Sequence, residues 1–246
     1  MYGTLKKKYG QNFLIDQNVL KKICTLISEK GLNIIEIGPG DGRLTEEVLL
    51  SEPQELKIIE IDSDMIPILE SKFSEYQNIK IINENILYYP LNEKIDLIVS
   101  NLPYNISSQI LVKICLMENP PINLILMFQK EFAERLTDKK LNSLNSLVNC
   151  FYKIDNNFNV SKNCFRPIPK IDSTVLFFKR NKNILLNKIE VNEFIKFKRN
   201  LFSHKRKTLN NLLKDYNFYK EKFDLKLRIE DVSLNELLKL FREINL

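Results

Sequence analysis

The chain has 246 residues, of which 44% are hydrophobic, and a formal net charge of +6. This length supports a large domain, or a main domain with an appendage, around a real hydrophobic core. No apolar run approaches bilayer length, and the basic start lacks the apolar stretch of a secretion signal, so a cytoplasmic protein without a membrane span is expected. His204 is the only histidine, which argues against a histidine-based metal site or catalytic triad, and no metal is expected.

The first predicted elements are a basic arm containing Lys6, Lys7 and Lys8 and a helix from Asn18 to Glu29. Asp16 precedes this helix and is suited to cap it, because its carboxylate can accept hydrogen bonds from the first free N–H groups. Apolar residues recur along the segment at helical spacing. The arm and the helix are therefore expected to precede the first strand of a sheet.

That strand, at residues 33–37, runs into the loop Gly38-Pro39-Gly40-Asp41-Gly42, and a helix is predicted to begin at Arg43. Glycines let the backbone approach a ligand closely, and the helix start faces that ligand. Arg43 stands where the dinucleotide fingerprint has its third glycine, which argues against a nicotinamide or flavin cofactor. The next strand, 56–61, holds Glu60 about twenty residues after Gly38, within reach of ribose hydroxyls. A nucleotide-like cofactor is predicted.

Another predicted strand, at residues 95–100, runs into Asn101-Leu102-Pro103-Tyr104. The exocyclic amine of adenine is a poor nucleophile because its lone pair is delocalised into the ring. The Asn101 amide oxygen and the Leu102 or Pro103 carbonyl can accept both amine hydrogens, and Tyr104 offers a flat face to an extruded base. Asn-x-Pro is also ordinary turn chemistry. Together with the glycine loop and Glu60, however, the motif predicts an S-adenosyl-L-methionine-dependent methyltransferase.

The remaining elements predict a doubly wound, mainly parallel α/β sheet. Further strands are expected at 79–82 and 122–128, and helices at 63–73 and 107–116. The β-rich segments 145–152 and 173–178 are expected to close the sheet as an antiparallel hairpin or edge pair.

From about Glu190 onward the pattern becomes helical, and Ser233 with Glu236 forms a capping box before the last helix. We therefore expect a main domain at 1–186 and a small helical domain at 187–246. Residues 162–246 carry a net positive charge, whereas residues 1–161 carry a net negative one. This asymmetry favours a polyanionic partner, although each basic cluster alone could be a solvated surface.

Six segments together resemble the ribosomal RNA adenine dimethyltransferase family, in particular its small-subunit branch, and the likeness extends from the arm to about Leu212. They are Tyr9-Gly10-Gln11-Asn12-Phe13-Leu14, Glu36-Ile37-Gly38-Pro39-Gly40, Glu60-Ile61-Asp62, Asn101-Leu102-Pro103-Tyr104-Asn105-Ile106-Ser107-Ser108, Gln129-Lys130-Glu131 and Phe165-Arg166-Pro167-Ile168-Pro169-Lys170-Ile171-Asp172-Ser173. The resemblance implies a Rossmann-like class I methyltransferase sheet and dimethylation of two adjacent adenosines in a hairpin loop near the 3′ end of small-subunit rRNA. It also implies a monomer acting late in assembly of the small ribosomal subunit.

The resemblance further implies roles for individual residues. The expected cofactor-binding residues are Asn12, Leu14, Gly38, Gly40, Glu60, Asn85 and Asn101. The expected catalytic residues are Asn101, Pro103, Tyr104 and Phe165, with Tyr104 and Phe165 on the two faces of the adenine. The expected RNA contacts are Lys6, Lys7, Lys8, Lys205, Arg206 and Lys207. Phe165 could instead be a core residue, and Leu14 could simply pack beneath the sheet.

The sequence departs from the family pattern at two places. Asn85 stands where the family usually has an aspartate that accepts a hydrogen bond from the cofactor's adenine, so this chain offers an uncharged acceptor. The helical appendage is also short. Two other functions remain open, namely a DNA adenine methyltransferase, and a non-catalytic assembly or transcription factor on the same fold.

Overall fold

The computed structural model describes residues 12–244, without the side chains of residues 156 and 157. Lys6, Lys7 and Lys8 lie outside the described residues. The strands are β1 (Phe13–Leu14), β2 (Asn33–Ile37), β3 (Glu55–Glu60), β4 (Ile79–Asn83), β5 (Leu97–Asn101), β6 (Asn123–Gln129), β7 (Tyr152–Val160), β8 (Phe165–Arg166) and β9 (Ser173–Arg180). The α-helices are α1 (Gln17–Cys24), α2 (Arg43–Leu49), α3 (Ile66–Lys72), α4 (Ser107–Cys115), α5 (Lys130–Thr137), α6 (Asn145–Phe151), α7 (Lys188–Ser203), α8 (Leu209–Leu212) and α9 (Leu234–Ile244).

Seven strands form one sheet in the order β4-β3-β2-β5-β6-β9-β7. The first five run parallel, and β9 pairs antiparallel with both β6 and β7. The predicted doubly wound α/β sheet is therefore confirmed. The chain moves outward from β2 to β4 and then returns to place β5 on the other side of β2. This reversal opens a crevice at the carboxyl ends of β2 and β5.

The inner strands β2, β5 and β6 are buried on both faces, as expected for parallel strands covered by helices. Successive residues of β6 alternate between two cores: Leu124 and Leu126 face one side, whereas Ile125 and Met127 face the other. Helices α1 to α3 cover the second face. Helices α4 to α7 and α9 share the first core with the sheet, so the C-terminal helices pack directly on it. The domain boundary at 186 stays a prediction.

The Asp16 cap is confirmed, because its Oδ1 accepts a hydrogen bond from the Val19 N–H at 3.0 Å. Helix α1 ends at Cys24 and not at the predicted Glu29. The N–H groups of Leu26 and Ile27 donate to carbonyls three residues back, so the chain continues as a tighter 3₁₀-type turn. The capping box of Ser233 and Glu236 is also confirmed.

The predicted strand at 145–152 is wrong, since residues 145–151 form helix α6. Its start is fixed by Asn142, whose Oδ1 accepts the N–H groups of Leu144 and Asn145 at 3.0 and 2.9 Å. Nearly the whole helix is buried, and a short apolar run buried on all sides has the same sequence pattern in a helix as in a strand. The predicted strand at 173–178 is confirmed as β9, and its hairpin partner is β7.

The C-terminal region is helical at both of its ends, in α7 and α9. Between them the chain has only α8 and single 3₁₀ turns at 220–222 and 229–231. No helix within residues 12–244 is both long enough and apolar enough to span a bilayer.

Candidate active site

A cleft lies at the carboxyl ends of β2, β3 and β5, where the strand order reverses. Its empty volume is about 880 Å³, open solvent included. The lining combines four parts of the chain, namely residues 12–14, the glycine loop with Glu60, residues 84–86, and residues 101–104 with Ile106. All the predicted cofactor-binding residues line this cleft, and so do Pro103 and Tyr104. Phe165 does not belong to the lining.

The glycine loop requires glycine at specific positions. Gly38 and Gly40 have φ angles of 67° and 58°, in the left-handed region that other residues rarely adopt. The Phe13 ring from β1 lies so close to Gly40 that an added Cβ would stand 2.4 Å from its Cε1 atom. An added Cβ on Gly38 would stand 3.8 Å from Pro103 Cγ, so the loops after β2 and β5 lie side by side.

Glu60 is buried at the end of β3 and faces the glycine loop. Its two carboxylate oxygens accept the N–H groups of Gly40 at 3.1 Å and Asp62 at 2.8 Å. Burial raises the pKa of Glu60, and these hydrogen bonds oppose the rise. A carboxylate has roughly four acceptor positions, so two backbone bonds leave capacity for ribose hydroxyls.

Glu36, the last residue but one of β2, also lines the cleft and was not singled out from the sequence. Glu36 is 1% exposed, and its carboxyl group accepts the Thr45 hydroxyl at 2.6 Å. Burial raises its pKa to about 8, so the group is largely protonated at neutral pH. An acidic residue inside an otherwise apolar strand was a signal that could have pointed to it.

Asn101 is held by the arm. Its Nδ2 donates a hydrogen bond to the main-chain carbonyl of Asn12 at 2.9 Å. This bond fixes which way the amide is turned, and it leaves the Oδ1 oxygen to accept from another group. Just before it, Ser100 is buried and donates its hydroxyl to the Ile37 carbonyl at 2.5 Å. Ser100 thus ties the end of β5 to the end of β2, a role that was not predicted.

Pro103 and Tyr104 follow directly. The Pro103 carbonyl accepts the Ile106 N–H at 3.2 Å and the Ser107 hydroxyl at 3.1 Å, so both of its lone pairs serve the local turn. The Tyr104 hydroxyl is 2.8 Å from the Ser173 hydroxyl of β9. Burial raises the pKa of Tyr104, which keeps the phenol neutral.

Phe165 and Leu14 belong to a short antiparallel pair, β1 with β8, in which Leu14 is directly opposite Phe165. Phe165 is 0% exposed and lies in the same core as Val160 and Val175. In this conformation it is a core residue, which is the alternative that the sequence left open. Stacking of Phe165 on an adenine would require its ring to leave the core. Leu14 is buried as well, but it lines the cleft.

Asn85 lies in the loop after β4 and lines the cleft. Its Oδ1 accepts the Leu87 N–H at 3.0 Å, and its main-chain carbonyl accepts the N–H groups of Tyr88 and Tyr89. The side-chain oxygen has a second lone pair, so it retains capacity for one further hydrogen bond.

The basic cluster of Lys205, Arg206 and Lys207 follows the end of α7, and all three residues are exposed. None of the three makes an ion pair with a residue of the described chain. Their charges are therefore available to a partner.

Comparisons with known proteins agree with this geometry. The model of a family described as "Ribosomal RNA adenine dimethylase" matches residues 3–246. The Ribosomal RNA small subunit methyltransferase A of Aster yellows witches'-broom phytoplasma is 37% identical, over 98% of this chain and 96% of that protein. The protein of the same name from Mycoplasmopsis pulmonis is 39% identical, over 97% and 98%. Among solved structures, a dimethyladenosine transferase from Plasmodium falciparum is similar, with a TM-score of 0.84, 28% identity and coverage of 95% of this chain and 97% of that one.

Proposed function

Because the chain belongs to the ribosomal RNA adenine dimethylase family, we propose that it dimethylates two adjacent adenosines near the 3′ end of small-subunit rRNA with S-adenosyl-L-methionine. The proposal includes the hairpin loop as target, and a monomer acting in the cytoplasm on the assembling small subunit. The observation that carries it is the Asn101 side chain, held beside the glycine loop with its amide oxygen left to accept. An amine hydrogen of adenine is a suitable donor to that oxygen.

The residues of the cleft fit the proposed cofactor. At Gly38 and Gly40 the backbone itself faces the cleft, and a side chain there would be strained or would fill the space. Glu60 has acceptor positions left for the ribose hydroxyls, and Asn85 has one left for the adenine amino group. Asn12 and Leu14 would cover the cofactor from the arm side. When bound, S-adenosyl-L-methionine supplies an electrophilic sulfonium methyl group.

The chain's own contribution is the activation and placement of the adenine amine. Asn101 Oδ1 accepts one amine hydrogen, and we assign the second to the Leu102 carbonyl because both lone pairs of the Pro103 carbonyl are engaged. Two acceptors draw the amine nitrogen towards tetrahedral geometry and localise its lone pair. Tyr104 stacks on the extruded base. Positioning and hydrogen bonding thus replace a strong base, and the proton leaves to water after methyl transfer.

Methyl transfer is tested with purified protein, S-adenosyl-L-methionine and small-subunit particles that lack the modification. Mass spectrometry of the digested rRNA should detect N6,N6-dimethyladenosine. Asn101→Ala should lower the rate by about 100-fold or more with RNA affinity nearly unchanged, since the side chain acts on the reacting amine. Asn92→Ala is the matched control because Asn92 is exposed and lies in a different surface depression.

Each other outcome identifies a different function. Methylation of a DNA strand of the same sequence, without methylation of the particles, would indicate a DNA adenine methyltransferase. Binding to the particles without transfer would indicate a non-catalytic assembly factor. Full activity of Asn101→Ala would contradict the assignment of the amine acceptor.

The RNA-binding role of Lys205, Arg206 and Lys207 is tested by neutralising all three. Each phosphate contact contributes roughly 0.7 to 0.9 to the slope of log affinity against log salt concentration, so the slope should fall by up to about 2 to 3. Cofactor affinity should not change. A matched control neutralises Lys30, Lys80 and Lys94, each of which already pairs with an acidic side chain. Equal slopes for the wild type and the 205–207 variant would place the RNA-binding surface elsewhere.

A further inference from the structure

The Tyr104 hydroxyl is anchored to a distant strand. Tyr104 lies in the loop after β5, whereas Ser173 is the first residue of β9, and β6 lies between those strands. Ser173 is 0% exposed, and its backbone is paired on both sides, opposite Gln129 of β6 and Val160 of β7. The anchor is thus a fully buried side chain on a strand that is paired on both sides.

We propose that Ser173 is a positioning residue for methyl transfer, which sets the plane of the Tyr104 ring so that the target adenine stacks on it. The inference rests on the proposed function. A tyrosine side chain has two main torsions, and fixing its hydroxyl at one end and its Cα at the other determines the orientation of the ring. Stacking on an aromatic side chain stabilises an extruded base, and a ring held in the right plane makes the full stacking contact.

Two consequences of this hydrogen bond support the role. A buried hydroxyl without a partner is unfavourable, and the Tyr104 hydroxyl is the hydrogen-bond partner of the Ser173 side chain. The hydroxyl of Tyr104 is also committed to the sheet, so it is not directed at the reacting amine. The ring face, and not the phenol oxygen, is therefore the part of Tyr104 that serves the substrate.

The test compares Ser173→Ala, Tyr104→Phe and the double variant. Thr174→Ala is the matched control, because Thr174 is the next residue of β9, is equally buried, and its hydroxyl is bonded to Asn159 at 2.8 Å. Successive residues of a strand point to opposite faces, so this control removes a buried hydroxyl without touching Tyr104. Thermal unfolding of all four variants reports the loss of stability separately.

Two readouts are used. The first is kcat and KM for methylation of small-subunit particles. The second is the fluorescence of an rRNA hairpin carrying 2-aminopurine at the target position, which is quenched when the extruded base stacks on the ring.

We expect Ser173→Ala to lower kcat by about tenfold and to weaken the quenching, because a small misplacement of a reacting group has a large effect on rate. Tyr104→Phe should do the same, and Ser173→Ala should have no further effect in the Tyr104→Phe background. Thr174→Ala should keep the wild-type kcat.

Additive effects of Ser173→Ala and Tyr104→Phe, or equal effects of Ser173→Ala and Thr174→Ala, would overturn the inference. If Ser173→Ala does not fold, Tyr104→Phe decides alone, since it keeps the ring and removes only the hydroxyl; an unchanged kcat would then overturn the inference. Failure of the wild type to methylate would refute the proposed function instead. In that case, equal quenching by wild type and Tyr104→Phe would separately refute the role of the hydrogen bond.

Discussion

Replacement of Asn85 by aspartate is expected to tighten the binding of S-adenosyl-L-methionine. The Asn85 Oδ1 atom accepts the Leu87 N–H at 3.0 Å, and one lone pair remains for the adenine amino group of the cofactor. An aspartate has the same shape and keeps both acceptor functions. It adds a negative charge, which strengthens hydrogen bonds to the carboxylate oxygens.

The magnitude follows from the two kinds of hydrogen bond. A neutral hydrogen bond contributes about 0.5 to 1.5 kcal/mol, and one to a charged group about 1.5 to 3 kcal/mol. The difference is about 1 kcal/mol, or about a fivefold lower Kd. Glu60 lines the same cleft and would oppose the new charge, so a larger gain is not expected.

Isothermal titration calorimetry of the wild type and three variants measures this effect. Asn85→Ala removes both acceptor functions of the side chain and should weaken binding. Asn92→Asp adds the same charge at an exposed residue outside the cleft and should leave the Kd unchanged. Weaker binding by Asn85→Asp than by the wild type would refute the assignment of Asn85 to the adenine, and an equal gain in Asn92→Asp would show a general charge effect.

Three further predictions concern the glycine loop and two buried titratable side chains, Glu36 of β2 and Lys198 of α7. Gly40→Ala should weaken cofactor binding about tenfold or more, because the Cβ of the new alanine would displace the Phe13 ring. Gly31→Ala is the control, since Gly31 has a similar φ of 70° with open space around it. It should lower stability by only the roughly 1 kcal/mol that the left-handed backbone conformation costs an alanine. Glu36 has a pKa of about 8 when folded and 4.5 ordinarily, so the free energy of unfolding should fall as pH rises between these values, and Glu36→Gln should lack that fall in urea titrations. Lys198 has a pKa lowered by burial from 10.5 to about 8, so the free energy of unfolding should rise with pH across that interval; an identical pH profile in Lys198→Met would contradict this.

The sheet and the position of the cleft could be predicted because both depend on local patterns. Apolar strands followed by glycine or by Asn-x-Pro give the ends of β2 and β5, and parallel neighbours place those ends at one edge. The proximity of Gly38 and Pro103 follows from this rule. Helix α6 could not be predicted, since its start depends on the Asn142 side chain and its interior is uniformly buried.

The location of Phe165 could not be read from the sequence for a different reason. It depends on the pairing of β1 with β8, and each of these strands has only two residues, too few for a periodic signal. The pairing of β1 with β8 joins the arm to a segment about 150 residues later in the chain, and local sequence propensities carry no information about such a distant partner. The same contact places Leu14 against Phe165 and brings Phe13 over the glycine loop.

Polar residues within apolar strands were the signal left unused. Glu36, Ser100 and Ser173 are each buried in the sheet, and a buried polar group is unfavourable unless it is hydrogen-bonded. Two of the partners support the site: Ser100 donates to the Ile37 carbonyl before the glycine loop, and Ser173 is bonded to Tyr104. An apolar residue of similar size would serve the core equally well at these positions. Buried polar residues at the sheet edge where the parallel strands have their carboxyl ends therefore indicate which side chains fix the geometry of the cleft, and the sequence alone contains those residues.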